Sequence, residues 1–341
     1  MQLRAGLRVL GLDDDVVQLG LDPRWAVRVT GLRADEREVL LRLRPGGRLP
    51  VDPPAGVTRA RWDDLVASLG AAGALLAPTG HRPVPTAGAA EVEAWSLVDA
   101  TGDGRGRVER RSRAVVGVVG LGPTGLGLAV ALASAGVGTL VLDDPGPVRS
   151  VDVGTGGYRW SDVGSPRRTV AARVVRDVAP SLGQADRSRD PDLLVSVEPD
   201  VVDPVRATTV LASGVPHLSL VVREADVLVG PLVVPGRGPC LRCLELHRAD
   251  TDPAWPALVA RLTLDLVRAP RTATEVPVLA GVAAHLGAAV ALAQLDGAPP
   301  TPGSTWSVAL PDAVPRGRVW ERHPQCGCAG PHRGERPGAP G

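Results

Sequence analysis

The sequence predicts an α/β fold: a mixed sheet with helices on both faces, preceded by a small α+β domain. Three observations carry this. A short apolar run at residues 115–119 is followed by G-x-G-x-x-G at Gly120, Gly122 and Gly125, the strand–turn–helix order that sets an anion on a helix N-terminus. Apolar runs then alternate with helical stretches to about residue 212 and continue as paired strands, as in a sheet that starts parallel and ends mixed. Two close cysteine pairs, Cys240/Cys243 and Cys326/Cys328, lie far apart in the chain, the spacing of a four-cysteine metal site.

The chain has 341 residues, enough for two domains and a large core. Hydrophobic residues make up 44%, which suits a folded globular chain. Phe, Lys, Asn and Ile are absent, so the core must be built from Val, Leu and Ala, and no mechanism here can use a lysine or an asparagine. The net charge of +1, with arginines interspersed among acids, argues against a nucleic-acid partner held by broad electrostatics. The first residues, MQLRAGLRVLGLDDD, carry charges where a signal peptide would be apolar. Residues 276–295 are apolar for long enough to span a bilayer, but the Ala, Gly and Val content with Pro277, His285 and Gln294 inside reads as a buried helix. A cytoplasmic protein with no membrane partner is expected, and four cysteines suit that compartment if they bind metal.

In chain order, residues 1–78 read as the small domain. Residues 15–21 and 26–29 alternate around Asp22-Pro23-Arg24, a hairpin pattern. Residues 34–43 read as a helix with Val39, Leu40 and Leu43 inward, closed by Gly46-Gly47. Thr58 is placed to cap a second helix, with Trp62, Leu65, Val66 and Leu69 at i, i+3, i+4 and i+7. Two helices and a hairpin make the domain winged-helix-like. Asp63 and Asp64 on the exposed face do not suit DNA, so the readings are peptide or protein contact, or a structural appendage. Residues 79–112, rich in Pro, Gly and Ala, read as a linker with one strand at 94–98. Arg110, Arg111 and Arg113 read as a solvated edge or, in the functional reading, as a phosphate contact.

Residues 113–330 form the second domain, with 331–341 a disordered tail. The first two glycines of the turn permit close backbone approach to a phosphate, and the third lets helix pack on strand. The helix from Pro123 to about Ala135 ends at Gly136 and Gly138. Residues 139–142 form the next strand, and Asp143 and Asp144 stand at its end, where a carboxylate suits a ribose hydroxyl. A glycine-rich loop, 146–164, follows. Residues 169–178 read as helix, 193–197 as a buried strand, 204–212 as helix, and 218–222 and 227–234 as strands. The arrangement is Rossmann-like. The cysteine pairs read as a closed structural zinc site that pins the C-terminal segment to the sheet. A redox C-x-x-C is the alternative, and His323 could replace one cysteine.

These pieces resemble the ThiF/MoeB family, the ubiquitin-activating-like adenylyltransferases, over about residues 112–328. The resemblance rests on VVGVVGLGPTGLGLAVALASAGVGTLVLDD, on DVGSPRR at 162–168, GPCLRC at 238–243, HPQCGC at 323–328 and the apolar helix at 276–297. It implies binding of ATP with magnesium, and attack of a small protein or peptide carboxylate on the α-phosphate, giving an acyl-adenylate and pyrophosphate. It also implies a homodimer.

Carried over position by position, the resemblance implies that Asp144 holds the ribose. The family's loop asparagine falls near Asp152 and its loop arginine near Thr155, with Arg159 close enough to substitute. The family's lysine falls at Arg167, beside Arg168. Only Asp200 is placed to hold magnesium, and Arg206 matches a family arginine. Arginine keeps the charge of lysine but not its shape, so the catalytic pattern is degenerate. If zinc takes all four cysteines, no thiol remains for a covalent step. The N-terminal domain resembles the peptide clamps fused to ThiF-like proteins in ribosomal-peptide modification. The readings are therefore an adenylyltransferase, a non-catalytic protein presenting a peptide to a partner enzyme, and a nicotinamide (NAD) oxidoreductase suggested by the glycine turn with Asp144.

Overall fold

The computed structural model describes residues 1–78, 88–154, 156–183, 190–268 and 274–329. Thr155, the 331–341 tail and part of the 79–112 linker lie outside the described residues. The chain divides into two units, Met1–Glu109 and Arg110–Gly341.

In the first unit, β1 (Gln2–Leu3) pairs antiparallel with β5 (Leu75–Leu76). Strands β2 (Val9–Asp13), β3 (Val16–Leu19) and β4 (Val27–Val29) form a three-stranded antiparallel sheet. Strands β3 and β4 are the expected hairpin; β2, mostly exposed, gives no apolar alternation to read. Helices α1 (Ala34–Leu41) and α2 (Arg59–Ala71) fall where their periodicity puts them, and the Thr58 hydroxyl accepts from the Arg61 amide at the start of α2. Leu3, Leu7, Leu19, Leu40, Trp62 and Leu69 build the core. Buried Glu36 accepts from the Arg33 amide at 2.8 Å and from Arg61 Nε at 2.7 Å, so a charge inside this unit is paired.

Two helices, α3 (Ala89–Val98) and α4 (Gly104–Arg111), stand in the stretch that reads as linker. The strand expected at 94–98 is the last half of α3. AAEVEAWSLV is rich in helix formers, and Trp95 Nε1 donates to Glu91 one turn back at 2.7 Å. Arg4 donates to the Ser96 carbonyl at 2.6 Å and fixes this helix to the strand end.

The second unit is built on a seven-stranded sheet in the order β12-β11-β10-β9-β8-β6-β7. Strands β6 (Val115–Val119), β7 (Thr139–Asp143), β8 (Leu193–Pro199) and β9 (His217–Val222) are parallel, as buried apolar runs joined by helices should be. From β9 onward, β10 (Asp226–Val233), β11 (Ser304–Ala309) and β12 (Arg316–Val319) add antiparallel. The sheet is therefore mixed, with the parallel part first.

Alternation along β9 sorts the two faces. Leu220 meets α10 (Pro277–Leu295) at Gly287, where an added Cβ would stand 3.1 Å from Leu220 and 2.9 Å from Leu128 of α5 (Pro123–Ser134). Small residues on α10 thus allow it to lie close on α5 and the sheet. Val221 points the other way, into a cluster with Cys240, Leu241, Leu244 and, from α7 (Pro204–Ser213), Ala207 and Leu211. Helix α8 (Leu241–Thr251) lies on that second face, followed by α9 (Trp255–Arg268); α6 (Arg167–Val178) packs beside α5 and β7. By length and composition α10 could cross a membrane, yet Leu279, Ala280, Ala283, Ala284 and Ala291 are buried within this unit, as expected for a core helix.

Of the arginine run, Arg110 and Arg113 are exposed, as a solvated edge should be, and Arg111 departs from that reading. Arg111 is fully buried and grips Asp296 at the end of α10 through Nε at 2.9 Å and Nη2 at 2.6 Å. A fork-to-fork pair of this kind is a structural tie, so Arg111 is not available to a phosphate.

Candidate nucleotide site and cysteine cluster

The parallel strands deliver their C-terminal ends to one edge of the sheet. Strand β6 lies between β7 and β8, so the chain order reverses beside it, the place where open α/β sheets take ligands. Gly120 closes β6 with φ +84°, and a Cβ on it would meet the Val197 carbonyl oxygen at 2.1 Å. A Cβ on Gly125 would meet the Gly120 oxygen at 1.9 Å, so the helix can start only where side chains are missing. Pro123 occupies the first helical position, where its missing N–H costs nothing.

Asp144 at the end of β7 is turned to this loop. Its Oδ2 accepts from the Leu121 amide at 2.8 Å and from Arg167 Nη1 at 3.2 Å; its Oδ1 accepts from the Gly146 amide at 2.8 Å. Of a carboxylate's four acceptor positions, one on Oδ1 is left for a hydroxyl. Arg167, at the start of α6, is buried and also holds Asp152, with Nη2 2.5 Å from Oδ2. The pair replaces the asparagine and lysine that the family resemblance assigns to these two positions: both residues change, and the charges cancel.

Burial pushes the Asp152 carboxyl up, but the hydrogen bond from Arg167, with the amide and guanidinium of Arg149, outweighs it and holds Asp152 below the usual range. Burial works against the Arg167 charge, and Asp152 and Asp144 more than compensate. Tyr158, sealed beneath the loop, donates to the Leu121 carbonyl at 2.6 Å, and burial pushes its hydroxyl up.

Glu275, immediately before α10, completes the surroundings. Its Oε2 accepts from the Thr124 amide at 2.7 Å, and its Oε1 lies 2.0 Å from where a Gly122 Cβ would be. Burial pushes this carboxyl up, while the Thr124 bond pulls the other way.

The remaining expected residues are more dispersed. Arg159 and Arg168 are exposed, and among the described contacts neither side chain meets Asp144 or Arg167. Asp200, just past β8, takes φ 63° and donates its amide to the Val222 carbonyl at 2.8 Å. It shares the C-terminal edge of the sheet with the glycine turn, since β6 and β8 are parallel neighbours. Glu198 points to the opposite face from Val197, accepts from Arg206 Nη1 at 2.8 Å, and is pushed up to about 7 by burial that Arg206 only partly offsets. Arg206 is thus engaged with Glu198.

The four cysteines converge. Cys240 and Cys243 stand at the start of α8, and Cys326 and Cys328 come from the C-terminal segment. The Sγ separations are 3.9 Å for Cys240–Cys243, 3.6 Å for Cys240–Cys326 and 3.4 Å for Cys243–Cys328. A tetrahedron of thiolates about 2.3 Å from an ion has edges of about 3.8 Å, so the cluster fits a tetrahedral ion. Disulfides would need sulfurs at about 2 Å. His323 does not join the set. The Gln325 amide donates to its Nδ1 at 3.1 Å, which puts the proton on Nε2, and Nε2 donates to Asp250 at 2.8 Å. On the same face as the cluster lies a cavity of about 600 Å³ with Leu211, Leu241, Leu246, Trp255 and Val259 in its walls. Cys240, Cys326 and Cys328 also line it, and it lies across the sheet from α5.

Residues 94–190 match the model of the ThiF family. The match takes in the glycine turn, Asp144, Asp152 and Arg167; both cysteine pairs and α10 fall outside it. No curated protein matches the chain. Among solved structures, selenomethionine PaaA aligns at TM-score 0.67 with 18% identity, covering 92% of this chain and 98% of its own. E. coli MccB solved with MccA-N7isoASN aligns at TM-score 0.63 with 13% identity, covering 97% and 99%. E. coli MccB with ATP aligns at 0.62 with 14% identity, covering 96% and 99%. At these identities the likeness is one of fold.

Proposed function

We propose that this chain, which through residues 94–190 belongs to the ThiF family, binds ATP and adenylates the carboxylate of a peptide or small protein. The observation that carries the reading is the assembly at the C-terminal end of β6, where the strand order reverses. A glycine turn that admits no side chain opens α5, with Asp144 and a buried cation, Arg167, bonded around it. MccB has been solved with ATP, with AMPCPP and an MccA peptide, and with N-formylated MccA. Those neighbours support the nucleotide and the peptide class of substrate. They favour this reading over a presenting protein and over an oxidoreductase.

In the proposed reaction a carboxylate oxygen of the peptide attacks the α-phosphorus of ATP. The bond to the β-phosphate oxygen breaks, pyrophosphate leaves, and the acyl-adenylate remains. The turn amides and the N-terminus of α5 face the phosphates and stabilise their charge. The open position on Asp144 Oδ1 takes a ribose hydroxyl. Arg167, tied to Asp144 and Asp152, holds the ribose carboxylate in position, and exposed Arg168 and Arg159 supply positive charge from the rim of the loop. Asp200 is the carboxylate placed to hold magnesium, which would neutralise the leaving pyrophosphate.

The four thiolates would hold zinc as a closed structural site, with no position open for catalysis. Burial pushes the Cys240 thiol up, so the thiolates need a cation among them. The first unit is the candidate to hold the peptide, and a homodimer, a separate partner enzyme and a cytoplasmic location belong to the same proposal.

The test is calorimetry with MgATP against NAD, followed by peptide-dependent ATP–pyrophosphate exchange. Binding of MgATP that Asp144→Ala abolishes, with exchange, is the expected result. Absence of MgATP binding at millimolar concentration in every form of the protein overturns the reading.

A further inference from the structure

The geometry points to Glu275 as a built-in occupant of the anion place at the head of α5, one that a nucleotide phosphate must displace before it can bind. This rests on the nucleotide reading of the site and extends it to how the site is controlled. The amides at the start of a helix form an anion site that is ordinarily open to the ligand. Here the Thr124 amide is taken by Glu275 Oε2 at 2.7 Å. The same carboxylate lies against Gly122, its Oε1 2.0 Å from the position a Cβ would have. The close approach that the glycine permits is therefore used by the chain's own carboxylate, where a phosphate would otherwise lie.

The delivery of this carboxylate is well defined. Glu275 comes two residues before Pro277, the first residue of α10, and α10 packs on α5. Two neighbouring helices thus set the distance between the carboxylate and the turn. The local charge balance works in the same direction. The connected groups at the turn are three carboxylates, Asp144, Asp152 and Glu275, and two guanidinia, Arg167, bonded to the first two, and Arg149, bonded to Asp152, so the carboxylates stay in excess. A triphosphate entering while Glu275 stays would meet like charge at contact distance. If Glu275 leaves, the head of α5 is freed and one negative charge goes with it. Glu275 is accordingly a positioning residue that sets the threshold for nucleotide binding, and it takes no part in the bonds that form or break.

The experiment compares the full-length wild type with Glu275→Ala and Glu275→Gln. Affinities for MgATP and for inorganic pyrophosphate are measured by calorimetry, with circular dichroism to check the fold. Glu275→Gln keeps the shape and can still accept from Thr124 without the charge. It carries the comparison if Glu275→Ala does not fold. Glu275→Ala is expected to bind both ligands roughly ten-fold tighter or more, and Glu275→Gln to fall between it and the wild type. Equal affinities for MgATP within about two-fold across the three proteins overturn the role of Glu275 and leave the nucleotide reading standing. Tighter pyrophosphate in Glu275→Ala with no MgATP binding in any form upholds Glu275 and overturns the nucleotide reading. Binding of neither ligand in any form overturns both.

Discussion

Replacing Asp152 with alanine tests whether the buried pair with Arg167 holds the candidate site together. Both side chains are 1% exposed, with Arg167 Nη2 2.5 Å from Asp152 Oδ2. Removing one partner of a buried pair leaves the other charge desolvated, a loss of about 3–5 kcal/mol. Part of that is recovered here, because Arg167 Nη1 keeps Asp144 at 3.2 Å. The amide and guanidinium of Arg149 lose the same partner, and that side chain is 30% exposed. The expected cost of Asp152→Ala is therefore about 2–4 kcal/mol. Arg167→Met should cost a similar amount by stranding the carboxylates. The double variant should cost less than the sum by about 1–3 kcal/mol, since neither charge is then left alone. A chain of two units does not unfold in a single step. Urea unfolding is therefore best followed by pulsed hydrogen exchange, read on peptides that cover β6 to α6. Single-variant costs below about 1 kcal/mol with no coupling would refute the argument that this pair is a structural charge couple.

Four further outcomes are expected. Glu198 titrates near 7 in the folded chain against an ordinary 4.5, because burial outweighs Arg206, so its contribution to stability is full below pH 4.5 and lost as pH rises through about 7. That loss is on the order of 3 kcal/mol, and urea midpoints between pH 4.5 and 8 should fall less in Glu198→Gln; an unchanged slope rejects it. Asp152, held low, contributes in the opposite sense, its stabilisation disappearing as pH falls below the carboxylate range. Gly125→Ala places a Cβ 1.9 Å from the Gly120 oxygen; it should abolish MgATP binding and cost about 1–3 kcal/mol, measured by calorimetry and urea unfolding. Cys240→Ser should remove one zinc per chain by elemental analysis and lower the melting temperature by roughly 10 °C, the size of a loss of about 3 kcal/mol in a unit of this length.

The parts legible in the sequence are those fixed by short-range rules. Strand β6, the turn and α5 fall where apolar run, glycines and Pro123 put them, and Thr58 marks the start of α2 to the residue. The mixed sheet follows from the same periodicities. Two short or exposed strands, β2 and β12, carry no alternation, and β11, STWSVA, mixes small polar residues with apolar ones. Their place is set by their partners.

The candidate site divides the same way. Asp144 is legible because it stands at a fixed distance from the glycines. Glu275 is not, because its partner Thr124 is 151 positions away and nothing local in TATEV marks it. Arg111 reads as surface for the same reason, since Asp296, which draws it inside, is 185 positions away. Arg167 and Asp152 each look like a defect when taken singly against the family resemblance. As a bonded pair they form a unit of zero net charge.

The cysteine cluster has a consequence for the end of the chain. Cys240 and Cys326 are 86 positions apart with sulfurs 3.6 Å from each other, so an ion bound at their centre would close a ring that contains α8, α9, α10, β11 and β12. Closing a loop of this length would remove freedom from the unfolded chain worth roughly 4.5 kcal/mol. The clasp works from either side of the ring. Cutting the chain before Cys326 and chelating the ion are then the same perturbation. A protein shortened to residue 325 should melt where the chelated full-length chain melts, and adding a chelator should move it no further.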